Sequence, residues 1–378
     1  MYVNLAEPNR PTVVVTVGMS PEPAAVREWD RFVAGMPGSD VAQLSSWAVV
    51  RRDAGFRPLH VFAYQDGRLV GGVLVLERRL PVIGRIGYVS SGPLVSAGVP
   101  RGPVVNRLGD AMHRLARTRL HALFVQPPAD GGDVSADLRD RGFRRSESGI
   151  APAASIRVDL RRDVEELRRC LGKANRRRTR LWAERGVIIR RGSYDDVPFV
   201  ADLVARTAEH KSFEPLSLEY IQTLYRTLDA EQHVAVFVAE LDGSPVAALL
   251  CTGCGGVIKQ RLAGMDRSER ARREGVTAAA VWHAMLWAKA GGYHTYDFGG
   301  ISARAARILL DGRRDAATQL TGTEQFKASF GGEVYLNPEP VELLASPLLR
   351  RGYDLSKRTR AGGRCVEIAK RALRGGRT

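Results

Sequence analysis

Lysine is scarce in this chain, with seven against fifty arginines in 378 residues. So strong a bias reads as a property of the coding sequence, and it makes any lysine held inside a motif informative, because a compact ammonium and a planar guanidinium are not interchangeable. Cysteine is scarcer still. Cys170, Cys251, Cys254 and Cys365 are scattered, and the lone Cys251-x-x-Cys254 lacks the second pair that a tetrahedral zinc site needs. A metal or redox role stays open beside the plainer reading of reduced structural thiols, and no metal is expected. No stretch approaches eighteen consecutive apolar residues, so no membrane span is expected. The first nine residues show no basic region followed by an apolar stretch, so the sequence predicts no secretory leader and a cytoplasmic protein.

What is present begins with charge. A net charge of +16 and a pI near 10.2 suit a polyanionic partner such as nucleic acid, an anionic membrane or a phosphorylated substrate. At this length two domains are expected, and the chain carries a repeat that agrees. Phe62-Ala-Tyr-Gln-Asp66-Gly67-Arg-Leu-Val70 and Val238-Ala-Glu-Leu-Asp242-Gly243-Ser-Pro-Val246 both read as an apolar strand, an Asp-Gly turn and a second strand. Helical stretches precede each: Pro23 to Met36 and Trp47 to Ala54, then Val197 to His210 and Leu218 to Leu228. In the second half, strand Val257–Met265, helix Val276–Ala290 and strand His294–Phe298 follow, the helix marked by Ala278, Val281, Met285 and Ala288 at helical spacing. Helices around hairpin-rich sheets predict an α/β (α+β) protein of two similar domains. The boundaries are set at 1–150 and 151–337, with 338–378 packing back on the first. No heptad run interrupts the second half, so no long coiled-coil arm is expected.

The plan resembles the GNAT acyltransferase fold in tandem. Gly275, opening a helix after Arg272-Arg273-Glu274, is poor in glycine for a turn that cradles a pyrophosphate. Several segments, in order from Val41 to Pro340, together resemble the Fem family of aminoacyl-tRNA-dependent transferases. They are Gln43-Leu-Ser-Ser-Trp47 with Arg51 and Gly55, Tyr88 to Gly92-Pro93, Lys173 to Gly186-Val187, and Thr207-Ala208 with Phe213 and Tyr220. Tyr296-Asp297-Phe298-Gly299-Gly300 and Gly322 follow, then Phe326-Lys327 with Phe330-Gly331-Gly332. The resemblance implies two GNAT-like domains, an acceptor held between them, and aminoacyl-tRNA as co-substrate without a coenzyme A cofactor.

The implied chemistry is peptide-bond formation. An aminoacyl ester is already activated, so the enzyme must position the acceptor amine and stabilise charge on the carbonyl oxygen. The resemblance gives the second task to Lys327, whose alternative is a structural lysine. It sets Phe326 against the terminal adenosine, although a core aromatic fits equally. Lys173, Arg176 and Arg180, on a basic helix predicted over Gly172–Arg185, are the tRNA-binding candidates, with Arg176 and Arg180 one turn apart on phosphates. A second basic run, Arg350 to Arg374, is either a disordered arm or another phosphate contact. Arg51, Trp47 and Tyr88 are the acceptor-binding candidates. Two departures bear on that acceptor: Ser91-Gly92-Pro93-Leu94-Val95-Ser96 lacks the family's Arg-Gly-Pro and nearby acid, and Leu216 replaces an arginine that helps hold acceptor phosphates. The partner is therefore either a peptidoglycan-precursor stem peptide or a peptide or nucleoside antibiotic intermediate with a free amine. An acyl-CoA-dependent GNAT N-acyltransferase is the alternative.

Overall fold

The computed structural model describes residues 13–80, 84–211, 215–312 and 319–358. The first half runs β1 (Val13–Gly18), α1 (Pro23–Gly35), α2 (Ser45–Val50), β2 (Arg57–Gln65), β3 (Arg68–Leu80), β4 (Gly84–Val89), β5 (Leu94–Val95), α3 (Arg101–Thr118), β6 (Ala122–Val125), α4 (Gly132–Asp140) and β7 (Arg144–Arg145). The second half opens with β8 (Ala154–Asp159), α5 (Val164–Cys170), α6 (Lys173–Arg178), β9 (Val187–Gly192), α7 (Val197–Lys211) and α8 (Leu218–Asp229). It continues through β10 (Val234–Leu241), β11 (Ser244–Cys254), β12 (Val257–Met265), α9 (Glu269–Glu274), α10 (Val276–Ala290), β13 (Thr295–Ile301), α11 (Ala303–Leu310), α12 (Gly322–Ala328) and β14 (Glu333–Leu336). Last come β15 (Val341–Leu344) and α13 (Pro347–Arg358).

Two mixed sheets result, in the orders β1-β2-β3-β4-β6-β15-β7 and β14-β8-β13-β12-β11-β10-β9. The repeat is structural to fine detail. Asp66 and Gly67 have φ of 50° and 74°, and Asp242 and Gly243 have 51° and 77°, the left-handed pair that a two-residue hairpin turn needs. Both hairpins bulge at the matching place, between Ala63 and Tyr64 and between Ala239 and Glu240. In each sheet the third strand of the meander runs antiparallel to the hairpin and the following strand runs parallel to it. The strand beyond differs in origin: β8, which opens the second half, pairs with β13, whereas β15 pairs with β6. The chain past residue 338 thereby re-enters the first sheet.

Each sheet buries one face in its own core, Leu108, Met112 and Leu123 on one side and Phe237, Met285 and Phe298 on the other. A third core spans both halves. Trp29, Leu44 and Phe62 pack in one cluster with Val200, Leu224 and Val236, so the face of α1 and α2 lies against that of α7 and α8. Gln43 braces the first half's side of this joint: its side chain accepts from Leu74 N at 2.9 Å and donates to Ser90 O at 2.6 Å, and its carbonyl takes the Trp29 indole at 2.7 Å.

His60 is the outlier in this interior. It is 4% exposed with its ring 5.5 Å from Phe62, and neither ring nitrogen has a hydrogen-bond partner. Burial pushes its pKa from 6.5 down to about 4. The folded state thus binds this proton more weakly than the unfolded chain, so stability is full above pH 6.5 and falls as pH drops towards 4. His60→Leu should remove this loss, flattening urea-melt stability between pH 7 and pH 5 by about 2 kcal/mol. An unchanged pH slope would show that His60 does not set it.

Candidate functional site

The second sheet opens beside Lys327. Strands β12 and β13 pair in parallel only from Val257↔Thr295 to Lys259↔Asp297, and beyond that point they part. On β13, Asp297 is 2% exposed and fixed by Arg157 Nε at 3.0 Å and by the Gly299 amide at 2.7 Å. This holds the left-handed Gly299 (φ 73°) and the following Gly300, whose carbonyl accepts a hydrogen bond from Lys327 Nζ at 2.7 Å. Lys327 itself sits on α12, a short helix started by a capping box between Thr321 and Glu324. Phe326 is half-buried, its ring edge-on to Phe330 with centroids 5.2 Å apart.

The basic segment adjoins the same turn. Gly172 N donates to Ser329 O at 2.7 Å, and Asn175 Nδ2 donates to Ser329 Oγ at 2.9 Å. Lys173 and Arg176, each directly following one of these anchors, are exposed on α6. The helix predicted over Gly172–Arg185 is not continuous, however. It ends at Arg178, and a turn followed by a 3-10 segment over Ala183–Arg185 leads to left-handed Gly186. The cause is Trp182, buried with its indole donating to Glu274 O at 2.9 Å, which draws the chain inward. Arg180 therefore stands exposed beyond the helix end rather than one helical turn from Arg176. Arg185 is held by Glu274 at 2.8 Å, and the Arg178 guanidinium lies across Gly275. In the first half, α2 likewise spans Ser45–Val50 rather than Trp47–Ala54, ending before the left-handed Gly55.

On the other side of β12 lies a cavity of about 260 Å³ between the two halves. Trp47, Arg51 and Tyr88 line it from the first domain, and Leu216, Tyr220 and Leu224 from the second. Arg51 is 5% exposed, its guanidinium 4.8 Å from the Phe56 ring centre, and burial pushes the Tyr88 phenol up. Arg261 also lines it, backed by Asp40, and neither residue was singled out in the sequence. Arg261 is the extra residue of a bulge on β12, since Leu250 faces Leu262 and Cys251 faces Gln260. Bulges re-aim side chains, and this one sends Arg261 towards the cavity, 5.5 Å from the Trp47 ring centre. There it meets Asp40, which also accepts from Lys259 Nζ at 3.2 Å and from the Ala42 amide at 2.9 Å. Burial by itself raises the Asp40 pKa, but the Arg261 and Lys259 charges outweigh it and hold the carboxyl well below the usual carboxylate range. The one available sequence signal was Lys259, another lysine retained in an arginine-rich chain.

Cys251 and Cys254 point into different cores, and burial pushes their thiols up to about 12 and about 11, so neither is a thiolate near neutral pH. Among the described residues no group of three or more His, Cys, Asp or Glu could hold a metal ion, and no helix is long and apolar enough to cross a membrane. Phe213, part of the sequence resemblance, and Cys365 lie outside the described residues.

Comparison with known proteins agrees with this architecture. An acetyltransferase (GNAT) domain matches residues 159–328. A lipid II:glycine glycyltransferase of Staphylococcus aureus (strain MRSA252) is 24% identical over 228 residues, covering 57% of this chain and 54% of that protein. The chain thus spans about half the length of the curated relatives it matches. A crystal structure of FemX matches with a TM-score of 0.74 at 19% identity, over 86% of this chain and 98% of that one. A tandem GNAT protein from the clavulanic acid biosynthesis pathway gives 0.52 at 15% identity, over 89% and 99%. The chain therefore resembles the Fem family, and its fold is that of two GNAT-like domains in tandem.

Proposed function

We propose that the protein is an aminoacyltransferase that moves an amino acid from aminoacyl-tRNA to an acceptor amine, forming a peptide bond. The observation that carries this reading is the placement of Lys327 beside the opening between β12 and β13, with the basic α6 bonded to its turn and the interdomain cavity on the next strand. An amine held in the cavity would attack the ester carbonyl. The bond to the tRNA 3′ oxygen breaks, the tRNA leaves with its hydroxyl, and the amine gives up a proton. The Lys327 ammonium, which the Gly300 carbonyl helps to orient, would stabilise the oxygen anion of the tetrahedral intermediate. Charged tRNA serves as co-substrate and no coenzyme A is needed.

Acyl transfer is the coarser part of this reading and has the support of the GNAT match. A peptidoglycan-precursor stem peptide is the favoured acceptor because the curated relatives are named for lipid II. Leu216 in the cavity wall argues the other way, towards a small peptide or nucleoside amine, whereas Arg261 restores a cation to the same wall. Catalysis in the cytoplasm is part of the proposal. The acyl-CoA alternative has one observation in its favour, the Arg178 guanidinium over the Gly275 turn at the start of α10. Incubation with radiolabelled charged tRNA or acetyl-CoA and a candidate amine separates the two, because transfer that survives RNase is incompatible with the tRNA reading.

The basic segment makes a separate prediction. Arg176→Ala with Arg180→Ala should weaken tRNA binding and lower the log–log salt slope by about one for each phosphate no longer neutralised. A slope identical to wild type would remove both from the interface.

A further inference from the structure

The outer face of α13 (Pro347–Arg358) carries the two most exposed large hydrophobic side chains among the described residues. Leu348 is 76% exposed and Leu355 61%. They are seven residues apart, so they lie on one stripe of the helix, with exposed Arg351 and Gly352 between them. The helix cannot easily roll to hide them. Its inner face is fixed by Arg350, which donates to Glu342 Oε1 at 2.8 Å and approaches Asp354 at 3.3 Å. Glu342 is fully buried and also accepts from Ser146 Oγ at 2.6 Å. Arg117 of α3 donates to Ala345 O at 3.0 Å, setting another cation beside the start of the helix.

The chemistry of this face selects its occupant. Aliphatic side chains neither stack on bases nor bond phosphates, so leucines at the crest do nothing for an RNA contact. Two leucines flanked by arginine, on a fixed amphipathic helix, suit the boundary between lipid headgroups and acyl chains. From Pro347 to Thr378 the sequence has ten basic residues and two acidic ones, which supplies the attraction that a short helix needs for an anionic leaflet. We propose that α13, with its exposed Leu348 and Leu355, is a docking surface for an anionic lipid bilayer. The proposal is independent of the aminoacyl-transfer reading.

The test is cosedimentation of the full chain with phosphatidylcholine vesicles, with and without about one-third phosphatidylglycerol. Binding to the anionic vesicles should be at least about ten-fold tighter than to neutral ones, and the Leu348→Glu, Leu355→Glu double variant should weaken it by about ten-fold. Both positions are exposed, so circular dichroism and the melting temperature should not change. Arg351→Glu, which alters charge without touching the leucines, should weaken anionic binding alone. Equal affinity for both vesicle types, no binding, or full binding by the leucine variant would overturn the proposal. So would a leucine variant that loses tRNA retention while keeping its hold on vesicles. The same holds for a self-association, seen by size-exclusion chromatography, that only the leucine variant abolishes.

Discussion

Lys327→Ala should lower turnover by roughly 10²–10³ while leaving the acceptor KM close to wild type. The asymmetry follows from where the charge is needed. In the proposed mechanism the acceptor binds in the cavity lined by Trp47, Arg51 and Tyr88, whereas the ammonium beside the Gly300 carbonyl would act only when the ester carbonyl becomes an anion. Lys327→Arg tests the geometry separately. The lysine nitrogen is lodged 2.7 Å from Gly300 O, and a broad guanidinium cannot take that place without moving the β13 turn, so arginine should rescue little of the activity. Lys327 is only half-buried, so both variants should melt near the wild-type temperature. If Lys327→Ala turns over at the wild-type rate, the lysine has no part in stabilising the oxyanion.

Retention of lysine in an arginine-rich chain does not by itself mark a catalytic group. It picks out Lys327 and Lys259, yet Lys289 is equally retained. There the ammonium donates to Leu160 O at 2.9 Å and Arg162 O at 2.8 Å, tying α10 to the end of β8. A lysine can thus be held by carbonyl contacts without any part in catalysis. The hairpin turns were legible, because Asp66-Gly67 and Asp242-Gly243 encode them within two residues, although the strands run longer at both ends. So were α10 and β12, whose sequence-predicted bounds match those observed. What stayed hidden depended on distant partners. The break after Arg178 is set by the Trp182 bond to Glu274, ninety-two positions away. Arg261 reads as an ordinary strand residue until the bulge and Asp40, from the other half of the chain, fix its direction. Leu216 departs from the family pattern and lines the cavity. Arg261, a cation in the same wall, lies on β12 two residues from Lys259, and the sequence alone did not aim it there.

Asp40→Ala should therefore do more damage than its place in a short loop suggests, costing about 3–5 kcal/mol of stability and disabling the acceptor cavity. The Asp40 carboxylate is the shared counterion of Arg261 and Lys259, and these come from β12 while Asp40 comes from the segment leading into α2. Its removal leaves two partly buried cations side by side on β12 with no counterion across the interdomain joint. Arg261 would swing away from Trp47, so the acceptor KM should rise while tRNA binding by α6 is retained. Asp40→Asn keeps the shape and the Ala42 amide contact but removes the charge, and it should recover the fold better than the site. The pH dependence gives an independent check. Because the folded-state pKa of Asp40 is depressed, its contribution is intact above the ordinary carboxylate value of 3.8 and disappears as pH falls below it. His60 acts earlier, between pH 6.5 and about 4. The double variant His60→Leu, Asp40→Asn should thus lose the His60 phase and show a smaller drop below pH 3.8, whereas each single variant should show one change only, since other carboxylates with depressed values, such as Asp196 and Glu274, remain. If the Asp40 variants melt as wild type with an unchanged acceptor KM, the ion cluster does not organise the cavity.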